Sequence, residues 1–291
     1  MFLFLAFVVP KVRETHRLMM RYIPLIGACL FSSSAPLVAL ESPGAFDSRG
    51  GDRVVFLSDG LVEQEQFSGW IELMLTTTFP DADVTFRNLE WSADTSAGDS
   101  RFGLSPLQAG REPRDEGWLQ LRKQLELTQP TVVVFGYGMA SSLEGSVSGL
   151  AGFVSTYERL LAALREISPS VRFVFLSPLQ RLDAENPHAT VLTEYAAAVR
   201  RLAQSHGSHY VDLRSVAKSA DQRKDSIHLN PEGYRVTAEA IRRTLQLHDS
   251  GWQQSPQAAA LRRAIVRKNE WWFHRSRPTN MAYVFGFRKH E

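Results

Sequence analysis

Four short stretches of this 291-residue chain hold the polar residues best placed for chemistry. Ser58-Asp59-Gly60-Leu61 offers a hydroxyl and a carboxylate. Asn88 to Gly98 offers more hydroxyls, Ser92 among them. Gly136-Tyr137-Gly138-Met139-Ala140 is small and glycine-rich. Asp225-Ser226-Ile227-His228 sets a carboxylate and an imidazole three residues apart, just before Asn230-Pro231. A serine works as a nucleophile only with a base in hydrogen-bond reach, and histidine is the usual base. These residue types therefore point to acid–base work at a carbonyl. Metal chemistry has little support. His206 and His209 are neighbours in sequence but lack a third ligand at a recognisable spacing, so no metal and no cofactor is implied. Gly136-Tyr137-Gly138 alone is too short for dinucleotide binding, and there is no Gly-x-x-x-x-Gly-Lys phosphate loop.

Each of the first three stretches follows an apolar run. Arg53 to Leu57, Val84 to Leu89, Thr131 to Phe135, Val171 to Leu176 and, more weakly, His209 to Leu213 read as strands buried on both faces. Between them lie helical patterns at Leu61 to Phe79, Asp115 to Leu127, Val154 to Ile167, His188 to Gln204 and Pro231 to Leu247. Asn230 is a good N-cap for the last, and Pro231 suits its first turn. The alternation predicts a three-layer α/β/α sandwich around a flavodoxin-like parallel sheet of about five strands, in the order 2-1-3-4-5. In such sheets ligands bind beyond the carboxyl ends of the strands, where the chemical stretches fall.

In this order, the four stretches resemble the four sequence blocks of the SGNH (GDSL-type) hydrolases, from about Arg53 to Leu247. The second block matches the family pattern Asn-x-x-x-Ser-Gly-Asp-Thr except at Ala93. The fourth has Asp225 and His228 as Asp-x-x-His, with the Asn-Pro-Glu-Gly continuation. The resemblance implies acyl transfer to a serine. In that scheme His228 takes the serine proton, Asp225 binds its Nδ1–H, and three donors hold the oxyanion.

Three positions depart from the pattern. Aligned without a gap, the nucleophile falls on Gly60. The glycine of the second block is Ala93. The asparagine of the third block falls on Gly138 or Ala140. Gly60, Ala93, Gly138 and Ala140 thus mark the substrate-binding positions, while the serine and one amide donor are gone. Ser58 and Ser92 are the substitute nucleophiles to consider. A water activated by His228, with Asp59 as helper, needs neither. Against that role, Asp59 also suits a cap on the helix starting near Leu61, and His228 could be a packed histidine. A subgroup of exported bacterial SGNH-like proteins also lacks the first-block serine. Phe86 to Ser92 and the Phe-Gly-Phe-Arg-Lys-His run at 285–290 look like theirs.

The ends differ from the middle. Residues 1–39 read as a signal or targeting segment, with an apolar stretch from Tyr22 to Phe31 and a cleavage site near Ala39. Export to the periplasm or outside the cell is the expectation, with lipidation at Cys29 an alternative. A membrane anchor is the other reading, but no charge-free apolar run reaches the ~18 residues of a membrane span. Residues 40–52 read as a linker, 53–250 as the SGNH-like domain and 251–291 as an aromatic and basic extension, with Trp252 to Pro256 as a polar break and a helix from Ala258 to Arg267. The first 40 residues carry four of the 33 basic and one of the 31 acidic residues, so 29 basic face 30 acidic residues in the rest. Near-neutral charge gives no reason to expect nucleic acid as a partner. Two functions stay open. One is an ester hydrolase acting on acyl or acetyl esters, carbohydrate esters included. The other is a catalytically degenerate module that binds a ligand, or a protein through the C-terminal extension.

Overall fold

The computed structural model describes residues 43–101, 113–183 and 185–277. Residues 1–39, expected to be a signal or targeting segment, with Cys29 among them, and the run at 285–290 lie outside the described residues. Apolar runs become strands covered on both faces. β1 (Arg53–Ser58), β2 (Thr85–Asn88), β3 (Val132–Gly136), β4 (Arg172–Leu176) and β5 (His209–Val211) pair in parallel in the order β2-β1-β3-β4-β5. Alternate residues of one strand feed different cores. Val54, Phe56, Val132, Val134 and Val174 face one core. Val55, Leu57, Val133, Phe135 and Phe175 face the other.

Helices close each face. α1 (Trp70–Thr78) and α6 (Pro231–Thr244) cover the first core with Ile71, Met74, Tyr234 and Ile241. α2 (Pro113–Thr128), α4 (Leu150–Ile167) and α5 (His188–Ser205) cover the second with Leu121, Leu125, Tyr157, Leu160 and Val199. This is the three-layer α/β/α sandwich that the alternation predicts. Among the described residues, no helix is long and apolar enough to cross a membrane.

Three local features differ from the sequence reading. The expected helix from Leu61 to Phe79 is broken. A 3₁₀ turn (Gln64–Phe67) ends at Gly69, which has φ 67°, and α1 starts at Trp70. The buried Glu65 carboxylate holds the break by accepting from Ser68 Oγ and Ile71 N, both at 2.5 Å. A short helix not read from sequence, α3 (Met139–Gly145), follows β3. The last helix, α7, is longer than expected and spans Pro256–Ser276.

α7 is bound to the domain along its length. Ala258 and Ile265 join the first core, and the Lys268 ammonium reaches Glu72 at 2.5 and 2.7 Å. Arg262 donates to the Ser68 carbonyl at 2.8 Å, and Trp272 Nε1 to the Asn88 carbonyl at 2.7 Å. The supposed polar break at Trp252 is instead an anchor, because its indole is buried edge-on against Trp70, 5.8 Å between ring centres.

The register sets the strand ends for the site. Ser58 lies beside Gly136 across the β1–β3 pair. A Cβ on Gly136 would stand 2.9 Å from the Ser58 Cβ, so the third block needs glycine for the strands to close.

Candidate active site

The loops after β1, β2, β3 and β4 and the loop before α6 enclose a cleft of about 340 Å³ at the carboxyl edge of the sheet. Asp59, Gly60, Ser92, Ala93, Ala140 and His228 all line it. The four sequence stretches therefore meet in one place, although Gly138 and Asp225 do not line the cleft and Ser58 stays out of it.

Ser58 is fully buried, and its Oγ accepts from Val62 N at 3.1 Å and Gly60 N at 3.4 Å. It ties the turn after β1 and offers no hydroxyl to the cleft. Gly60 has φ 142°, where a side chain is strained, yet a Cβ there would meet nothing within 4 Å. The space a nucleophile would need is open.

The Asp59 carboxylate does not cap a helix near Leu61. Its Oδ2 accepts from Gly138 N and Ala140 N, both at 2.9 Å, which caps α3 instead. Burial pushes its pKa up to about 6 against the pull of those N–H groups. Ala93 sits in the left-handed region at φ 56°, and its N–H donates to the Asp59 carbonyl at 2.8 Å. The backbone donors at Ala93, Gly138 and Ala140 are thus engaged by oxygens of one residue. None of them is left for an oxyanion.

The turn before α6 brings Asp225 and His228 together. Asp225 Oδ1 accepts from Ile227 N at 2.9 Å and His228 N at 2.8 Å. His228 Nδ1 meets Asp225 Oδ2 at 2.7 Å and Oδ1 at 3.0 Å. Partial burial would raise the Asp225 pKa, but the Ile227 N–H and the His228 ring outweigh it and hold it at about 2. The ionised carboxylate fixes the ring with its Nδ1–H inward, and Nε2 has no protein partner among the described residues. The Asn230 side chain accepts from Gly233 N at 3.0 Å, with Pro231 in the first turn of α6, so the predicted cap forms. Tyr234 of α6 donates to the Leu61 carbonyl at 2.6 Å and closes the cleft floor.

Sequence reasoning missed Glu63, Gln64 and Arg277. Glu63 is buried at the cleft wall, and its carboxylate takes hydrogen bonds from Ser92 Oγ at 3.2 Å, Gln64 Nε2 at 2.5 Å and Arg277 Nη1 at 3.1 Å. Arg277 follows α7, and its guanidinium lies over the Phe273 ring at 4.8 Å and the Trp91 ring at 5.6 Å. A polar run such as Glu63 to Gln66 reads as a solvated helix face, and nothing in sequence ties it to a residue 214 positions on. Behind the cleft, Glu90 is fully buried, and burial pushes its carboxyl well above the usual range. The Ser58 hydroxyl lies against it, short of hydrogen-bond geometry. His206 instead pairs with Glu158 at 2.9 Å, and His209 packs edge-on against Phe46. Among the described residues, no three metal-binding side chains cluster.

Solved structures share the fold. An acetylxylan esterase from Geobacillus stearothermophilus is 15% identical, covers 69% of this chain and 96% of its own, and has a TM-score of 0.53. A GDSL-like lipase candidate from Parabacteroides merdae is 15% identical, with 71% and 100% coverage and a TM-score of 0.55. An α/β-hydrolase enzyme from the metagenome of Lake Arreo is 17% identical, with 68% and 97% coverage and a TM-score of 0.51. No curated protein is similar enough in sequence to count as a match. The sequence pattern of the GDSL-like lipase/acylhydrolase family matches residues 56–236, which takes in the cleft and its His228–Asp225 pair, and the chain belongs to that family.

Proposed function

We propose that the cleft hydrolyses acyl or acetyl esters, carbohydrate-linked ones included, by a water that His228 activates directly. The observation that carries this reading is the His228 ring, which lines the cleft with Nδ1 held by Asp225 and Nε2 without a partner among the described residues. Nε2 takes a proton from water while the oxygen adds to the ester carbonyl. The tetrahedral intermediate then expels the alkoxide, which takes the proton back from Nε2–H, and acid and alcohol leave. Asp225 stabilises the imidazolium in between. With the nearby N–H groups engaged by Asp59, oxyanion stabilisation is weak, so turnover should be slow. Carbohydrate acetates enter as the substrate class because an acetylxylan esterase has the same fold. Export would give such esters as an extracytoplasmic target.

The engaged N–H groups also favour a second reading, a cleft that holds an ester without turning it over. Hydrolysis of p-nitrophenyl acetate and an acetylated xyloside by the native protein, His228→Ala and Gly60→Ser separates the two. The first reading expects His228→Ala to lower kcat/KM by about 10²-fold or more. It also expects a burst of p-nitrophenol from Gly60→Ser and none from the native chain, because only the variant can form an acyl-enzyme. Equal rates for native protein and His228→Ala across both esters would overturn it in favour of binding alone.

A further inference from the structure

The lining of the cleft is sorted along the sheet. Gln64 and Glu63 follow β1, and Ser92 follows β2. Met139 and Leu143 follow β3, and Pro178 and Leu179 follow β4. In the strand order β2-β1-β3-β4, the polar side chains Glu63, Gln64 and Ser92 therefore stand over the β2–β1 half, beside Leu61 and Ala93, while Met139, Leu143, Pro178 and Leu179 make the β3–β4 half apolar. A ligand lying across the strand ends meets amide and hydroxyl at one end and an apolar wall at the other.

The polar end is organised around Glu63. Its Oε1 accepts from Arg277 Nη1 at 3.1 Å and Gln66 Nε2 at 3.3 Å, and its Oε2 from Gln64 Nε2 at 2.5 Å and Ser92 Oγ at 3.2 Å. A carboxylate has about four lone-pair sites, so Glu63 is saturated and acts by orienting others. Gln64 keeps its amide oxygen and one N–H. Ser92, which is exposed, keeps the lone pairs of its hydroxyl after donating to Glu63. An amide that both donates and accepts, beside a hydroxyl that accepts, matches neutral hydroxyl groups. An anion would meet the Glu63 carboxylate behind them. The clamp on Glu63 comes from beyond the matched family region, since Arg277 follows α7 and residues 56–236 carry the family pattern.

We infer that Gln64 and Ser92 form a subsite for the hydroxylated, sugar-like part of the ligand, with Glu63 and Arg277 as its positioning residues. The acyl part then lies against Met139, Leu143, Pro178 and Leu179. The inference rests on the cleft being the ligand site of the proposed function, but not on turnover. The test is calorimetric titration of the full chain with methyl β-xylopyranoside and with its monoacetate, beside ester turnover. Gln64→Ala/Ser92→Ala should weaken binding of both probes about tenfold or more. Arg277→Ala should weaken the sugar probes in the same way, and Arg277→Lys, which keeps the charge, should restore part of the loss. Melting curves identify any variant that fails to fold, and the double variant, partly exposed at both sites, serves if Arg277→Ala unfolds. Unchanged sugar binding in the double variant, or no binding of either probe by the native chain, overturns the inference. Native sugar binding without any His228-dependent ester turnover would leave it standing and defeat the hydrolytic reading alone.

Discussion

At the scale of single residues, the backbone strain at the cleft falls on Ala93. Its backbone takes the left-handed φ of 56° that suits glycine. A left-handed conformation costs an L-residue about 1–2 kcal/mol, and glycine loses about 0.5–1 kcal/mol of that through extra unfolded-state freedom. Ala93→Gly should therefore raise stability by a few tenths of a kcal/mol to about 1 kcal/mol in urea melts, with an unchanged m-value. A lower midpoint would mean that the Ala93 methyl makes contacts worth more than the strain. The pairing of Asp225 with His228 was legible because Asp-x-x-His before an Asn-Pro helix start is a local pattern. The fate of Asp59 was not. Its carboxylate serves N–H groups 79 and 81 positions away, and only the β1–β3 pairing brings them together.

At the scale of elements, strands could be read almost residue by residue, since burial on both faces leaves continuous apolar runs. Helix limits could not. Gly69 breaks the first expected helix because Glu65 folds back to cap α1, and α7 outruns its reading because Lys268, Trp272 and Arg277 find partners on the domain. The loop after β2 is held by a similar long-range device. Arg101 Nε meets Asp94 Oδ2 at 2.7 Å with both side chains fully buried, and its other nitrogens reach the Leu89 carbonyl at 2.7 Å and Gln124 of α2 at 2.5 Å. Arg101→Ala would leave the Asp94 charge buried without a countercharge, a loss of about 3–5 kcal/mol. Chemical denaturation measures it. A loss below about 1 kcal/mol would show that the loop relaxes and lets water reach Asp94.

For the whole molecule, the buried carboxyls set the response to pH. Burial raises Glu65 to about 8 and Asp59 to about 6, from ordinary values of 4.5 and 3.8. The folded state holds these protons more tightly than the unfolded chain, so their contribution is full at low pH and is lost as pH climbs through those raised values. Asp225 and Glu239, both at about 2, act the other way, and their contribution grows as pH rises from about 2 to the ordinary carboxyl range. The melting temperature should peak between about pH 4 and 5 and fall toward pH 8. Glu65→Gln, which keeps an acceptor for Ile71 N, should flatten the fall between pH 6 and 8. A melting temperature that climbs steadily to pH 8 in the native protein would contradict this account.

The packing of α7 on β2 also bears on how the protein behaves among its own copies. β2 is the outer strand of the sheet, and its outward carbonyls would otherwise invite a foreign strand. Arg87 Nη1 takes the carbonyl of Phe86 at 2.8 Å, and Trp272 Nε1 takes that of Asn88. The helix acts as a cover against edge-to-edge self-association. A chain shortened to end before Pro256 would leave the Asn88 carbonyl open at the strand margin, and its cost would show as aggregation at high concentration beside the loss of the Arg277 clamp on Glu63.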